Sequence, residues 1–288
     1  MKIFIFGASG YLGSNLVNYL KNNHEVFACV RTKSSLKRLT CDNSKIITGI
    51  DNAEVLDDAF MTIKPDLIIN AAALYGRNGE GIDKLVDANI SFPSQLYELC
   101  KKYGVGGFLN TGTSLPDNVS QYALTKNTFV RLACSKNERK LKFINIALEH
   151  FYGPNDDDNK FISYVIKSCL EGKTLELTNG KQKRDFIHIK DVISAFDVII
   201  SQLDNIEHGE TIALGSGVAL SVREIVEIIA VASRTESILN FGTVADRKNE
   251  LMYSCADVFR LASLGWTSSL SIEEGLLDTI TIEKSTQK

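Results

Sequence analysis

One seven-residue turn, Gly7-Ala8-Ser9-Gly10-Tyr11-Leu12-Gly13, constrains this chain more than any other feature. It follows an apolar run, Ile3-Phe4-Ile5-Phe6, that reads as a buried strand. It leads into Leu12, Leu16, Val17 and Leu20, which are spaced as on one face of a helix. Strand, glycine-rich turn and helix in succession aim backbone N–H groups and the positive end of a helix dipole at one point, the arrangement that binds a dinucleotide pyrophosphate. The first glycine permits the tight turn, and the second lets the backbone approach the phosphates. The spacing is G-x-x-G-x-x-G rather than G-x-G-x-x-G, and such a turn needs the rest of the chain to agree with it. Gly7, Gly10, Tyr11, Leu12 and Gly13 are the first expected cofactor contacts.

The first half agrees by alternating strand and helix. Strands are expected at 2–7, 25–30, 45–49, 66–72, 105–111 and 142–148, and helices at 11–22, 53–63, 81–103 and 120–138. That alternation implies right-handed crossovers and a parallel sheet covered on both faces. After residue 149 it breaks down. A polar loop, Asn155 to Lys160, precedes an expected helix at 161–171, another follows at 190–203, and a strand at 210–214 rejoins the first sheet. Residues 216–288 read as two or three helices with short strands. The fold class is therefore α/β: a Rossmann-type doubly wound parallel sheet with a smaller, discontinuous C-terminal lobe. The expected domains are 1–153 with 184–215 for the cofactor, and 154–183 with 216–288 for the substrate.

Composition excludes several other classes. A net charge of −3 provides no basic face for nucleic acid. No stretch is long and apolar enough to span a bilayer, so neither nucleic acid nor membrane is an expected partner. The six cysteines lack a C-x-x-C pair and the four histidines lack ligand spacing, which points to reduced thiols, a cytoplasmic setting and no metal.

Two Tyr-x-x-x-Lys pairs, Tyr97/Lys101 and Tyr122/Lys126, place a phenol and an ammonium on one helix face. The first lies inside the helix preceding the 105–111 strand, away from strand ends that face a ligand. The second opens the helix after that strand, just downstream of Asn110-Thr111-Gly112-Thr113-Ser114. A strand-end hydroxyl, a tyrosine and a lysine four residues on form the set that carbonyl redox chemistry needs. The tyrosine exchanges a proton with the oxygen, the lysine lowers the tyrosine's pKa and holds a ribose, and the hydroxyl hydrogen-bonds the same oxygen. Thr113, Tyr122 and Lys126 are the expected catalytic residues.

Together with Asn70-Ala71-Ala72-Ala73, Asn89, Phe151-Tyr152-Gly153-Pro154, Arg184-Asp185-Phe186-Ile187-His188 and Leu264-Gly265-Trp266, these motifs resemble the extended short-chain dehydrogenases/reductases of the nucleotide-sugar epimerase/dehydratase group over nearly the whole chain. The resemblance implies that Thr113 binds the reacting sugar oxygen, that Asp51 contacts adenine, that Ala71, Ala72 and Ala73 border the cofactor, and that Asn89, counted with the cofactor-binding residues, supports the nearby helix and water network. It also implies that Arg184 and Arg247 bind the diphosphate of a nucleotide sugar, with Glu250 near its ribose, and that Lys160 and Phe161 pass the diphosphate and base. Guanidinium suits that task because it pairs bidentately with phosphate. Lys181 and Lys183 read as a solvated turn. His150, standing where many relatives have Asn, is expected at the sugar phosphate or as a structural histidine.

Departures from the family pattern narrow the reaction. Dehydratases of the group carry Thr-Asp-Glu where this chain has Thr113-Ser114-Leu115, so the acid pair for eliminating water is missing. NAD-binding members end the second strand with Asp for the ribose 2′-OH, whereas Arg31 stands here with Lys33 nearby. An arginine pairs with a 2′-phosphate, so NADP(H) and a net reduction are expected. The blocks Tyr75-Gly76-Arg77, Gly112 to Pro116, Leu148 to Gly153 and Asn249 to Asp257 resemble bacterial CDP-paratose synthases, and CDP-abequose synthases share the last two. That closer resemblance implies NADPH reduction of the C4 ketone of a CDP-3,6-dideoxy-hexulose for O-antigen, with paratose favoured around Thr113. Tyr75, Arg77 and Ser114 are expected substrate contacts, and the helices at 81–103 and 120–138 an expected homodimer surface. A dTDP-4-keto-6-deoxyhexose reductase, an NAD-dependent 4-epimerase and a non-catalytic dinucleotide sensor remain as alternatives.

Overall fold

The computed structural model describes residues 1–135, 140–234, 236–246 and 250–286. The chain divides into two compact units, Met1–Ala147 with Ile199–Ile212, and Leu148–Val198 with Ala213–Lys288.

The first unit follows the periodicity of the sequence. In chain order it contains β1 (Lys2–Phe6), α1 (Tyr11–Leu20), β2 (Glu25–Val30), β3 (Ile46–Thr48), α2 (Ala53–Ile63) and β4 (Leu67–Asn70). Then come α3 (Ile82–Val86), α4 (Phe92–Tyr103), β5 (Gly107–Thr113), α5 (Gln121–Cys134) and β6 (Lys142–Leu148). Among the described residues the sheet has seven strands in the order β10-β6-β5-β4-β1-β2-β3, where β10 is Thr211–Leu214. β1 pairs in parallel with both β2 and β4, so the strand order reverses between β1 and β4. In an open α/β sheet that reversal opens a crevice at the carboxyl ends of the strands, where ligands bind. One face is filled by Phe4, Phe6, Phe27, Phe60, Phe108, Phe129 and Phe143, packed largely edge to face.

A row of buried amides crosses the same sheet. Asn70 Nδ2 donates to Asn110 Oδ1 at 3.0 Å, Asn110 Nδ2 to Asn145 Oδ1 at 3.0 Å, and Asn145 Nδ2 to Thr211 Oγ1 at 3.3 Å. Neutral groups at this depth need partners, and here they supply one another.

Two differences from expectation stand out in this unit. The helix read at 81–103 is interrupted by a π-turn over Asp87–Ser91, directly before α4. Pro93 lacks an N–H and its ring crowds the carbonyl four residues back, so the helix widens ahead of it. Strand β5 runs on to Thr113, which makes Thr113 its last residue. The expected end of the helix after Gln121, at 136–138, lies outside the described residues.

The second unit is built of short pieces: β7 (His150–Tyr152), α6 (Phe161–Leu170), β8 (Leu175–Leu177), β9 (Lys183–His188) and α7 (Ile189–Ser201), whose last turn belongs to the first unit. After β10 come β11 (Ala219–Ser221), α8 (Val222–Ser233), β12 (Leu239–Phe241), α9 (Phe259–Ser263) and α10 (Ile272–Thr286). β9 lies between β11 and β7 in a three-stranded sheet, and β12 pairs with β8. Tyr152, Val165, Ile166, Phe186, Ile225, Ile229, Leu276 and Ile280 form its core. Pairing of β9 with β7 carries residues 184–198 and 148–153 into this unit, whereas the expected domain division set them with the cofactor.

Among the described residues no helix is long and apolar enough to cross a membrane, and no cluster of His, Cys, Asp or Glu could hold a metal. All six cysteines are free thiols.

Candidate active site

The glycine turn behaves as its spacing implies. Gly7 adopts φ +73°, and a Cβ there would fall 2.6 Å from the Ala72 backbone N. A Cβ on Gly13 would fall 2.2 Å from Gly7 O. Any side chain at either position would push the turn off the exit of β4, where Ala71 N donates to Phe6 O at 2.9 Å. Gly10 caps α1 with no side-chain hydrogen bond, and the first turn carries no acid. The leading N–H groups of α1 are thus left to a ligand, with the dipole favouring an anion. Tyr11 and Leu12 are buried beneath the turn.

Arg31 directly follows β2, and both it and Lys33 are exposed. Asp51 Oδ1 accepts from Thr32 N and Thr32 Oγ1, each at 3.0 Å. The Thr32 bonds, with the Arg31 charge behind them, hold its carboxyl below the ordinary range. Sequence reasoning passed over Arg38, whose guanidinium carbon lies 5.8 Å from the centroid of the Tyr11 ring. The available signal was a further cation in the loop after β2.

Ser120 caps α5 by accepting from Ala123 N at 3.1 Å, which sets Tyr122 in the first turn and Lys126 one turn later. Three further side chains gather at the Tyr122 phenol. Thr113 and Tyr75 are hydrogen-bonding partners of its hydroxyl, and the Arg77 charge acts on it. The Tyr75 and Tyr122 rings stack with centroids 4.6 Å apart and planes at 27°. Ser114 Oγ is buried with no hydrogen-bond partner. Burial pushes the Tyr122 phenol well above its ordinary pKa, Tyr75 adds to the rise, and Arg77 and Thr113 oppose it. In the chain alone, desolvation outweighs the Arg77 charge at this phenol. Lys126 is 3% exposed, and burial pushes its ammonium down to about 8.

Asn89 stands in the π-turn and is committed to the protein. Its Oδ1 accepts from Leu74 N at 2.9 Å, and its Nδ2 donates to Leu74 O at 2.9 Å and Thr125 Oγ1 at 3.0 Å. It therefore ties the base of the loop bearing Tyr75 to the helix bearing Tyr122. The alternative pair has a different use: Tyr97 OH donates to Ala133 O at 3.2 Å, and Lys101 meets Glu98.

The second unit gathers its own expected residues. Arg184, 6% exposed on β9, meets Glu250 Oε1 at 2.5 Å and donates to Lys183 O. Burial draws its pKa down, and Glu250 and Glu149 raise it. His150 Nδ1 lies 3.6 Å from Glu149 Oε2, and its ring packs on Phe186. Phe161 stacks on the same Phe186. Lys160 lies over the Phe151 ring and 3.1 Å from Asp156. Arg247 lies outside the described residues. Lys181 and Lys183 are exposed.

Two carboxylates here received no role from the sequence. Glu149 accepts from Ser254 Oγ at 2.7 and 2.9 Å. Asp185, fully buried, accepts from Ser216 N, Ser216 Oγ, Gly217 N and Ala256 N. Asp185 lies within the Arg184–His188 block singled out in the sequence, but its partners lie far along the chain.

Comparison with known proteins now decides the family. The sequence model of the NAD dependent epimerase/dehydratase family matches residues 3–215. The chain belongs to that family. It is 31% identical to the CDP-abequose synthase of Salmonella muenchen, over 98% of both chains, and 30% identical to that of Salmonella typhimurium, over 95% of both. Its fold matches the UDP-glucose 4-epimerase of Thermotoga maritima with a TM-score of 0.86 and 21% identity over all of both chains. It matches the dTDP-glucose 4,6-dehydratase of Bacillus anthracis with a TM-score of 0.85 and 21% identity, over 100% and 97% of the two chains. The Rossmann-type architecture read from the sequence is thus the architecture of the family.

Proposed function

We propose that the chain is an NADP(H)-dependent reductase of the C4 ketone of a nucleotide sugar, with a CDP-3,6-dideoxy-4-hexulose as substrate. The observation that carries this reading is the likeness to CDP-abequose synthases, 31% identical over 98% of both chains in one case, in a chain whose β2 is followed by an exposed Arg31.

The residues present fit the dinucleotide. The uncapped start of α1 suits a pyrophosphate, and Gly7 and Gly13 leave no room for side chains where the turn closes on β4. Arg31 is exposed for a 2′-phosphate, while the neighbouring carboxylate of Asp51 is engaged by Thr32. Bound there, the reduced nicotinamide supplies the hydride. Tyr122 delivers the proton to the carbonyl oxygen, and Thr113 and the unpartnered Ser114 hydroxyl orient that oxygen. Lys126, largely charged near neutral pH with its pKa at about 8, favours the phenolate once the proton has left. Arg184, Arg247 and His150 are assigned to the sugar diphosphate, and Leu124 and Leu132, exposed on α5, to a homodimer face.

The CDP-abequose synthases among the relatives support a CDP-sugar and favour abequose as product, while the block around Thr113 favours paratose. The two products differ only in the face of the ketone that receives hydride. The test is NADPH oxidation with CDP- and dTDP-4-keto sugars, with the product configuration read by NMR. Tyr122→Phe should lower turnover by about two to four orders of magnitude. Rapid NADPH loss with the dTDP sugar alone would reject the CDP assignment. Tightly retained NAD with no net NADPH loss would favour the 4-epimerase.

A further inference from the structure

Tyr75 and Arg77 entered as expected substrate contacts, yet their geometry is directed at Tyr122. The Tyr75 ring lies on the Tyr122 ring at 4.6 Å, close enough for a strong offset stack. The Arg77 guanidinium carbon sits 4.8 Å from the centroid of the Tyr75 ring, in cation–π range. Asn89 clamps both backbone polar groups of Leu74, the residue before Tyr75, and through Thr125 the helix that carries Tyr122 and Lys126. The stack is therefore built into the fold. Tyr75 is 40% exposed, so one side of its ring lies on Tyr122 and the other in water.

We propose that Tyr75 is a positioning residue for Tyr122, holding its ring by stacking so that the phenol meets the substrate oxygen, with Arg77 bracing the pair. The proposal rests on the reductase reading for its direction. In the reduction, hydride from a reduced nicotinamide forms the new C–H bond, and the Tyr122 O–H bond breaks as the alcohol O–H forms. The Tyr122 oxygen keeps the electron pair as phenolate. A proton from solvent then restores the phenol, leaving hydroxide to the buffer. No other oxidant or reductant is needed. The groups facing the Tyr122 hydroxyl are Tyr75 and Arg77 from the loop after β4 and Thr113 from β5, with Lys126 one turn along on α5. Of these, Tyr75 disfavours the phenolate and Arg77 favours it.

The experiment has two arms. In the first, tyrosine ring-carbon NMR of the cofactor-free chain follows ionisation, with the Tyr122 signal assigned by its loss in Tyr122→Phe. Tyr75→Phe keeps the stack and should let Tyr122 ionise at lower pH, while Arg77→Ala should move ionisation to higher pH. In the second, Tyr75→Leu, which loses the stack, should lower kcat about tenfold and leave the KM for the keto sugar unchanged. Tyr75→Phe, which keeps the stack, should retain most of kcat and move the alkaline limb of the kcat–pH profile to lower pH. An unmoved Tyr122 signal in both variants would overturn the proposal, as would a raised KM with unchanged kcat, which would return Tyr75 to substrate binding. Failure of the wild-type chain to reduce any keto sugar would instead reject the reductase reading, and the NMR arm would still report on the Tyr75–Tyr122 pairing.

Discussion

The two units bury different kinds of polar group. In the first, the buried polar side chains are amides and hydroxyls, among them Asn70, Asn89, Asn110, Thr111, Thr125 and Asn145, and the one buried ammonium or carboxylate among the described residues is Lys126. In the second they include Glu149, Asp156, Arg184, Asp185 and Asp191. The neutral set needs only mutual hydrogen bonds, and it leaves the anion-binding work to backbone N–H groups and a helix dipole. The charged set needs dense backbone donation, which Asp185 receives from residues 216, 217 and 256 and Asp191 from Ser269 N and Leu270 N. The first unit thus buries a single ammonium within an otherwise neutral interior, while the second buries several ions, each with its own donors, around side chains such as Arg184.

Four measurements would break or sharpen that contrast. Phe4→Ala, in the middle of the aromatic face of the first unit, should cost about 4 kcal/mol in urea unfolding, because it removes a ring with few ways to fill the void. Asp185→Ala should cost about 3 kcal/mol by leaving four donors facing nothing, and a cost below that of a typical surface change would show that the second unit does not depend on its buried ions. The third concerns Lys126, whose folded pKa of about 8 lies below its ordinary value of 10.5. Between those values the unfolded chain binds more protons than the folded one. This group therefore makes the fold more stable as pH rises, by up to about 1.4 kcal/mol per pH unit. Lys126→Met should remove that slope, and identical slopes in the two proteins would deny Lys126 its burial penalty. The smallest effect is expected at the surface: Arg31→Asp should cut the preference for NADPH over NADH by about tenfold, or 1.4 kcal/mol, in a direct binding titration.

The contrast also explains what the sequence made legible. Ile3 to Gly13 carries strand, turn and helix signals within a few residues, so the first unit and its glycine turn were readable locally. So was the placement of Tyr122, unlike Tyr97, at the opening of a helix that follows a strand's carboxyl end. The strands His150–Tyr152 and Leu175–Leu177 are too short to show alternation, and their burial depends on partners at Phe186 and Leu239. Asp185 looked like part of a motif, but its donors lie more than thirty positions downstream, roughly the span at which no local pattern reports a contact. The Tyr75 stack was hidden for the same reason. Tyr75 and Arg77 were legible as residues near the strand ends, but not the side chain they serve.

The amide row of the central sheet has a consequence for how its strands are aligned. Ala72 N donates to Asn70 Oδ1 at 3.3 Å, and every later bond in the row runs the same way, through Asn110 and Asn145 to Thr211. The row is thus a vernier with one polarity, in which no amide can turn over without reversing its neighbours. A slip of one residue between β4 and β5 would set Asn70 against Leu109 or Thr111 and break its bond to Asn110. The relative heights of Ala72 beside the glycine turn and Thr113 beside the phenol are therefore set by one shared constraint, so that a ligand seated on one meets the other at a fixed reach.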